Sequence, residues 1–334
     1  MIERISVIDA DGTDPYRNIA LEECLLHDVR PGQCILYLWQ NQRTVVLGRN
    51  QNALDECDVT ALERDGGHLA RRLSGGGAVY HDLGNLNFTF LVPTADYDQR
   101  AQTETILGAV RAMGVDAVRT GRNDLVVDGR KFSGHAYYHT GDKSYHHGTL
   151  MVDVGPEPLA RYLHVSPLKL GSKGVSSVRS RVCNLVDLVP GLTVERLAAA
   201  LREAFEEAHG MQADRLQVAD VGTDRLDAAA RRFSSREWLY RDAEPFGVSR
   251  EARFSWGTVR LEFAERDGVI ERAALWSDGL DADKLEAAPQ VLAGVPLDMA
   301  RITDALTVGA GLSRPMAEDL ARLATRGEGE DHAD

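Results

Sequence analysis

Residues 71–90, RRLSGGGAVYHDLGNLNFTF, hold two arginines, three consecutive glycines, a His-Asp pair and an apolar strand-like run. Three glycines in a row cost backbone entropy and bury nothing. Gly75-Gly76-Gly77 therefore reads as bare backbone whose N–H groups approach an anion or a flat ring. Arg71 and Arg72 stand just before it, and a guanidinium is the natural partner of phosphate or carboxylate. A glycine-rich hairpin with solvated arginines is the plainer alternative, because a lone glycine run is a weak signal. A second dense stretch is 121–150, GRNDLVVDGRKFSGHAYYHTGDKSYHHGTL. Lys131 follows an Asp128-Gly129 turn of the kind that joins hairpin strands. The pleat then fixes the direction of its side chain, and rigid presentation is what a catalytic lysine requires. An ordinary surface lysine is the alternative. A third stretch, KLGSKGVSSVRSRVCN (169–184), is polar and basic. It reads as a mobile loop whose Lys169, Lys173, Arg179 and Arg181 could fold over an anionic ligand, or as a plain linker.

The rest of the chain sets bounds on that chemistry. Its 334 residues, 43% hydrophobic, are enough for one large or two ordinary domains. The net charge of −13 argues against a general nucleic-acid or anionic-membrane binder. Residues 119–181 nevertheless hold ten Lys/Arg against five Asp/Glu, a basic enclave that suits a small anion. No apolar run approaches the ~18 residues of a membrane helix, and the first residues lack a signal-peptide layout. Cys24, Cys34, Cys57 and Cys183 are scattered without metal spacing, so reduced thiols and a cytoplasmic location are expected.

The pattern predicts mixed α and β elements. A short strand at 5–8 precedes a helix capped by Asp14-Pro15. ILYLW (35–39) and TVVLG (44–48) read as a hairpin. Residues 55–66 read as one short helix, and LNFTFLV as a buried strand. Helices are expected at 99–113 and at 155–168. A further helix at 193–209 has Leu197, Leu201, Ala204, Phe205 and Ala208 on its buried face. LVV, KFSGHAYY and HHGTLMVDV (146–154) read as adjacent strands. Residues 224–233 read as a helix, and SSREWLY (234–240) as an aromatic segment packed on the main body. Residues 241–248 read as a linker. A three-stranded meander and helices near 283–292, 299–309 and 313–325 follow, then a short acidic tail.

Taken together, RRLSGGGAVYHDLGNLNFTF, GRNDLVVDGRKFSGHAYY, YHHGTL and SVRSRVCNL, in this order and spacing, resemble the lipoate–protein ligases of the two-domain bacterial type. The resemblance runs from the DPYRNIALEE helix nearly to the end of the chain. It implies an α+β fold: a large catalytic domain of the biotinyl/lipoyl protein ligase type over residues 1–243 and a small α+β accessory domain over 249–326. It also implies a monomer that activates lipoate with ATP and Mg²⁺ to lipoyl-AMP. The lipoyl group then passes to a lysine of apo lipoyl domains of 2-oxoacid dehydrogenase E2 subunits or of the glycine-cleavage H protein. Neither nucleic acid nor membrane is an implied partner.

The resemblance assigns roles residue by residue. Lys131 contacts the lipoyl carboxyl oxygen and the α-phosphate. Gly75, Gly76, Gly77, Ala78, Val79 and Tyr80 form the nucleotide segment with Asn123 and Asp124, and Asp124 is the Mg²⁺ candidate. Arg72 makes a phosphate or lipoate-pocket contact, Ser74, His81 and His147 belong to the lipoate side, and Lys173 and Arg179 to an adenylate loop. His135 and Cys183 depart from the residues usual at these positions, where Ser and Thr are familiar. His135 could alter pocket shape or the acceptor contact, and Cys183 reads as a buried small residue. An octanoyltransferase, the nearest rival, needs a nucleophilic cysteine, and residues 58–182 contain none. A biotin–protein ligase would carry a GRGRxGR-type segment, which is missing. A regulator that binds lipoate without catalysis would not need Lys131.

Overall fold

The computed structural model describes residues 1–121, 123–164, 182–241 and 246–326. Strand β1 (Arg4–Asp9) leads to helix α1 (Pro15–Asp28), capped by the Asp14 carboxylate, which accepts from the N–H groups of Tyr16 and Arg17. Strands β2 (Gln33–Trp39) and β3 (Thr44–Leu47) precede the short helices α2 (Ala53–Glu56) and α3 (Val59–Arg64). Next come β4 (His68–Arg71), β5 (Val79–His81), β6 (Asn85–Pro93) and α4 (Gln99–Ala112). Strands β7 (Val118–Thr120), β8 (Asp124–Val127), β9 (Arg130–Thr140) and β10 (Lys143–Met151) follow in antiparallel succession. Helix α5 (Pro156–Tyr162), α6 (Val194–His209), β11 (Asp214–Arg215), α7 (Thr223–Phe233) and α8 (Arg236–Tyr240) complete the larger part. Strands β12 (Val248–Phe254), β13 (Gly257–Arg266) and β14 (Val269–Ser277), then α9 (Ala282–Leu292), α10 (Met299–Gly309) and α11 (Arg314–Thr325), close the chain.

The strands form an eight-stranded sheet, β11-β1-β2-β6-β10-β9-β8-β7, and two three-stranded sheets, β4-β3-β5 and β12-β13-β14. The fold is mixed α+β, as expected. Residues alternate across the large sheet with the strand period of two. Phe88, Phe90, Leu36 and Leu38 pack beneath α4 and α6 through Ile106, Val110, Leu201 and Phe205. Tyr37, Trp39, Leu91 and Tyr145 pack beneath α1 and α7 through Ile19, Leu25, Leu226 and Phe233. The β12–β14 sheet and α9–α11 enclose a core of their own, around Phe263, Leu285, Leu306 and Leu320. Among the described residues no helix is long and apolar enough to cross a membrane.

Several local expectations give way. ILYLW and TVVLG are not a hairpin: β2 lies between β1 and β6, whereas β3 lies between β4 and β5 in another sheet. Asn18 of α1 donates to the Gln40 carbonyl and to Asn41 Oδ1, which ties the connection to the helix instead. The expected helix at 55–66 breaks at Cys57, which is extended, and Asp58 caps α3 afresh. Ala208 is exposed on α6, while Leu197, Leu201 and Phe205 are buried. Strand β10 starts at Lys143, earlier than His146. The helix expected over 155–168 ends at Tyr162, and residues 165–168 lie outside the described residues.

Arg71 is the largest fully buried side chain. Its guanidinium donates to the carbonyls of Gly48, Arg49, Gln51, Trp238 and Leu239. Those carbonyls belong to the bend after β3 and the end of α8, where no strand can pair them, so the cation is spent inside the fold. The expectation that Arg71 meets a ligand anion is thereby overturned. Burial, then the neighbouring Arg241 and Arg72, lower its pKa to about 9, so it stays charged at neutral pH. Arg71→Met takes the guanidinium from all five carbonyls; Gly48 and Arg49 keep the Gln51 N–H and Arg241 as donors, whereas Gln51, Trp238 and Leu239 have no second donor among the described residues. We expect a loss of at least about 2 kcal/mol in urea unfolding; an unchanged midpoint would show that water replaces the guanidinium at no cost.

Candidate functional site

A pocket of about 150 Å³ opens between the large sheet and the β4-β3-β5 sheet. Trp39, Val46, Arg72, Gly76, Gly77, Ala78, Val79, His81, Asn87, Asn123, Lys131 and His147 line it, with Gly134 to Ala136 and Gly148-Thr149 at its base. The structure thus brings most of the expected site residues together. Tyr80, Ser74, Gly75 and Asp124 do not line it. On β5 the alternation that turns Val79 and His81 inward turns Tyr80 outward, against Tyr162 with ring centroids 5.7 Å apart.

The glycine run has two separate reasons for being bare. A Cβ on Gly75 would stand 2.2 Å from the Gly279 carbonyl oxygen, on the turn between β14 and α9. The Gly76 N–H donates to that same oxygen at 3.2 Å, with Gly76 at φ +92°. Gly77 alone of the three faces open space at the pocket. The reading of all three as backbone bared for an anion is therefore corrected: Gly75 is bare for a protein contact. Arg72 binds the run from beneath. It donates to the carbonyls of Val46, Gly75 and Gly77 and to Ser74 Oγ, so it clamps the loop rather than projecting freely. Burial lowers its pKa to about 10, which leaves it charged.

Lys131 projects from the β8–β9 hairpin, and its Nζ lies 2.7 Å from Asp124 Oδ1. A Cβ on Gly134 would meet Lys131 Nζ at 2.8 Å, so that glycine gives the ammonium room. Asn123 is tied to β9 at both ends: its carbonyl accepts from the His135 N–H at 2.8 Å and its Nδ2 donates to the His135 carbonyl at 2.9 Å. His135 borders the pocket, but its ring packs edge-on to Phe88 and bonds His146 at 2.9 Å, which in turn meets Gln102 of α4. Of the two expected consequences of a histidine here, a changed pocket shape agrees with its place in the lining. Lys173 and Arg179, with Lys169 and Arg181, lie outside the described residues. The described chain resumes at Val182, which bridges to Lys131, and the Cys183 N–H donates to the Lys131 carbonyl at 2.9 Å. Cys183 is buried, as expected.

Sequence reasoning missed a buried polar network. His147 Nδ1 lies 2.8 Å from Glu22 Oε1 and its Nε2 lies 2.7 Å from Ser74 Oγ. Thr89 donates to the same Glu22 oxygen, and Trp39 Nε1 donates to Thr89. The Ser-His-carboxylate order is that of an activated nucleophile. Ser74, however, is fully buried, accepts from Arg72 and does not reach the pocket. The network therefore positions His147 and Trp39. Its one visible signal was Glu22, a carboxylate among apolar residues on α1. His81 Nδ1 accepts from Asn41 Nδ2 at 3.2 Å. Burial, then Arg72 and His147, lower the His81 pKa to about 3, so the ring is neutral.

Two family profiles match the chain. The lipoyl protein ligase A/B catalytic domain covers residues 14–206, and the bacterial lipoate protein ligase C-terminus covers 243–321. Among solved structures, LipL1 of P. falciparum in complex with lipoate aligns over 97% of this chain and all of that one, with a TM-score of 0.85 and 24% identity. A bi-partite lipoate protein ligase from Thermoplasma acidophilum, described with its E2 lipoyl domain, aligns over 74% of this chain and all of that one, at 27% identity and a TM-score of 0.63. A lipoate-protein ligase A bound with ATP aligns over 72% of this chain and 99% of that one, at 26% identity and a TM-score of 0.61.

Three buried histidines make the fold sensitive to acid. Burial lowers the pKa of His81 and of His135 to about 3, and that of His146 well below its ordinary value. The unfolded chain binds protons at these rings below about pH 6.5 and the folded chain does not, so their contribution is fully present above that pH and is lost as pH falls. His81 and His135 each cost on the order of 1 kcal/mol per pH unit between roughly 6.5 and 3, and His146 acts in the same direction. We expect chemical-denaturation stability to fall steadily from pH 7 to pH 5. His146→Gln should flatten that slope, and a variant slope equal to the parent's would rule the account out.

Proposed function

The chain belongs to the lipoyl protein ligase A/B family, and from that premise we propose that it is an ATP-dependent lipoate–protein ligase. The observation that carries the reading is Lys131, held on a hairpin at the rim of a pocket with an apolar wall. Its substrates would be lipoate, ATP and apo lipoyl domains of E2 subunits or the glycine-cleavage H protein. Residues 1–243 and 249–326 are proposed as the catalytic and accessory domains, a division supported by their separate cores.

A carboxylate is a poor acyl donor, because its leaving group would be oxide. In the proposed first step a lipoate carboxylate oxygen attacks the α-phosphorus of ATP. The bond to the bridging oxygen breaks, and pyrophosphate leaves. The ammonium of Lys131 lies between the two anions and offsets their repulsion as charge builds on the α-phosphate. The bare Gly77 and the Ala78-Val79 backbone border the nucleotide, with Asn123 holding the hairpin opposite. In the second step a neutral acceptor lysine attacks the acyl carbon, AMP leaves with the electron pair, and the proton lost by nitrogen passes to solvent or to the AMP phosphate. Both ring nitrogens of His147 are already taken by Glu22 and Ser74, so that ring is not offered to the acyl side as a general base.

Among the described residues no group of three or more His, Cys, Asp or Glu is arranged to hold a metal ion. One carboxylate beside a phosphate-binding lysine suits Mg²⁺ that arrives with the nucleotide, because this ion keeps waters and phosphate oxygens as ligands. Asp124 would be its protein ligand. Lys173 and Arg179 are proposed to close over the adenylate, which hydrolyses when wetted. The four cysteines are buried. Burial raises the Cys57 thiol to about 12 and also raises Cys183, the cysteine beside Lys131. That disfavours cysteine-based transferase chemistry.

The test supplies ATP, Mg²⁺, lipoate and a panel of apo lipoyl domains and H protein. Lipoate-dependent pyrophosphate release and lipoylation of at least one acceptor are expected, and Lys131→Ala should lower the rate by about 10²–10³. Acyl transfer from a carrier protein without ATP would favour the transferase instead.

A further inference from the structure

A row of residues crosses the large sheet beneath the pocket. Trp39 on β2 pairs with Asn87 on β6, and Asn87 pairs with Thr149 on β10. Thr149 Oγ1 accepts from the backbone N–H of Gly134 on β9 at 3.3 Å, and the Lys131 ammonium stands over Gly134. Residues opposite one another on neighbouring strands share a face, and strands lie ~4.8 Å apart, so the row runs about 14 Å from Lys131 to Trp39. An acyl chain with its carboxyl at Lys131 would lie along it, with its far end among Asn87, His81 and Trp39.

That far end is not a plain hydrocarbon wall. Asn87 Nδ2 and His81 Nε2 are buried and have no hydrogen-bond partner among the described residues. Both residues border the pocket, and their neighbours fix which of their atoms are left unpaired. Asn18 Nδ2 donates to Asn41 Oδ1, which leaves Asn41 Nδ2 to donate to His81 Nδ1 and puts the ring proton on Nε2. Asn85 Nδ2 donates to Asn87 Oδ1, which leaves the Asn87 N–H groups free. Two buried donors thus await an acceptor that a methyl-terminated chain does not have.

Resting on the ligase reading, we propose that Asn87 and His81 are specificity-determining donors that read sulfur at the far end of the acyl chain. The site then selects a dithiolane acid, lipoate, over the straight-chain acid of like length, octanoate. Sulfur in a ring disulfide is a weak acceptor, but an alkyl tail leaves both donors buried and unpaired. A site built to donate discriminates more strongly against a substrate lacking the acceptor than a purely apolar site can.

The test measures kcat/KM for lipoate and octanoate on the full chain with ATP and an apo lipoyl domain. It also measures equilibrium binding of the two acids without ATP. Wild type should favour lipoate about ten-fold or more in both measurements. Asn87→Leu and His81→Phe should each bring the ratio toward one, chiefly through KM for lipoate. Equal use and equal binding of the two acids by wild type would overturn the proposal, whether or not either variant folds. So would ratios unmoved in both variants. Lipoate-selective binding without pyrophosphate release would uphold it while removing the ligase reading.

Discussion

Two buried guanidiniums hold together the corner on which the pocket is built. The bend after β3, the glycine run and the end of α8 all present backbone carbonyls to two arginines beneath them. Arg71 and Arg72 satisfy them: Arg71 joins the bend to α8, and Arg72 joins β3 to the glycine run. A buried carbonyl without a partner costs about 1–3 kcal/mol, so this corner would open to water without its cations. The Arg-Arg pair reads in sequence as ligand chemistry, and its first task is architecture. The pocket inherits its shape from that architecture, because Gly77 and Val79 stand where the clamped loop puts them.

Much of the site was legible because its parts are local. The Asp128-Gly129 turn fixes the β8–β9 hairpin, and the hairpin fixes Lys131. That residues 79–81 form a strand was not read from the sequence, and only the strand shows Val79 and His81 on one side. What was hidden depends on partners far away in the chain. Asn18 decides that β2 and β3 part company. Gly279 decides why Gly75 has no side chain. Asn87 is unremarkable in a strand-like run until its register with Trp39 and Thr149 is known. The resemblance supplied a family, but not which of its motif residues bear on the fold and which on the pocket.

The electrostatics of the site follow one pattern. The cations beneath the pocket are committed to carbonyls, and burial keeps the His81 and His135 rings along its wall neutral. Among the described residues, the ammonium of Lys131 is paired with one partly exposed carboxylate, Asp124. On the proposed reading, the unburied positive charge stands at the end where the anionic reactants would meet, and the acyl chain would run away from it. Glu22 fits this pattern: it is fully buried, yet its Oε1 accepts from Thr89 and lies beside His147, and it does not line the pocket.

The contact between Gly75 and Gly279 binds together the histories of two distant segments. A larger residue at Gly75, or a shifted carbonyl at Gly279, would be refused by the other side, so neither can drift alone. A chimera that takes the last eighty or so residues from a relative would inherit this problem at one point, the turn after β14. Recombination between relatives would succeed where both partners carry the bare residue and the matching turn, and would fail elsewhere, however well the two cores are packed.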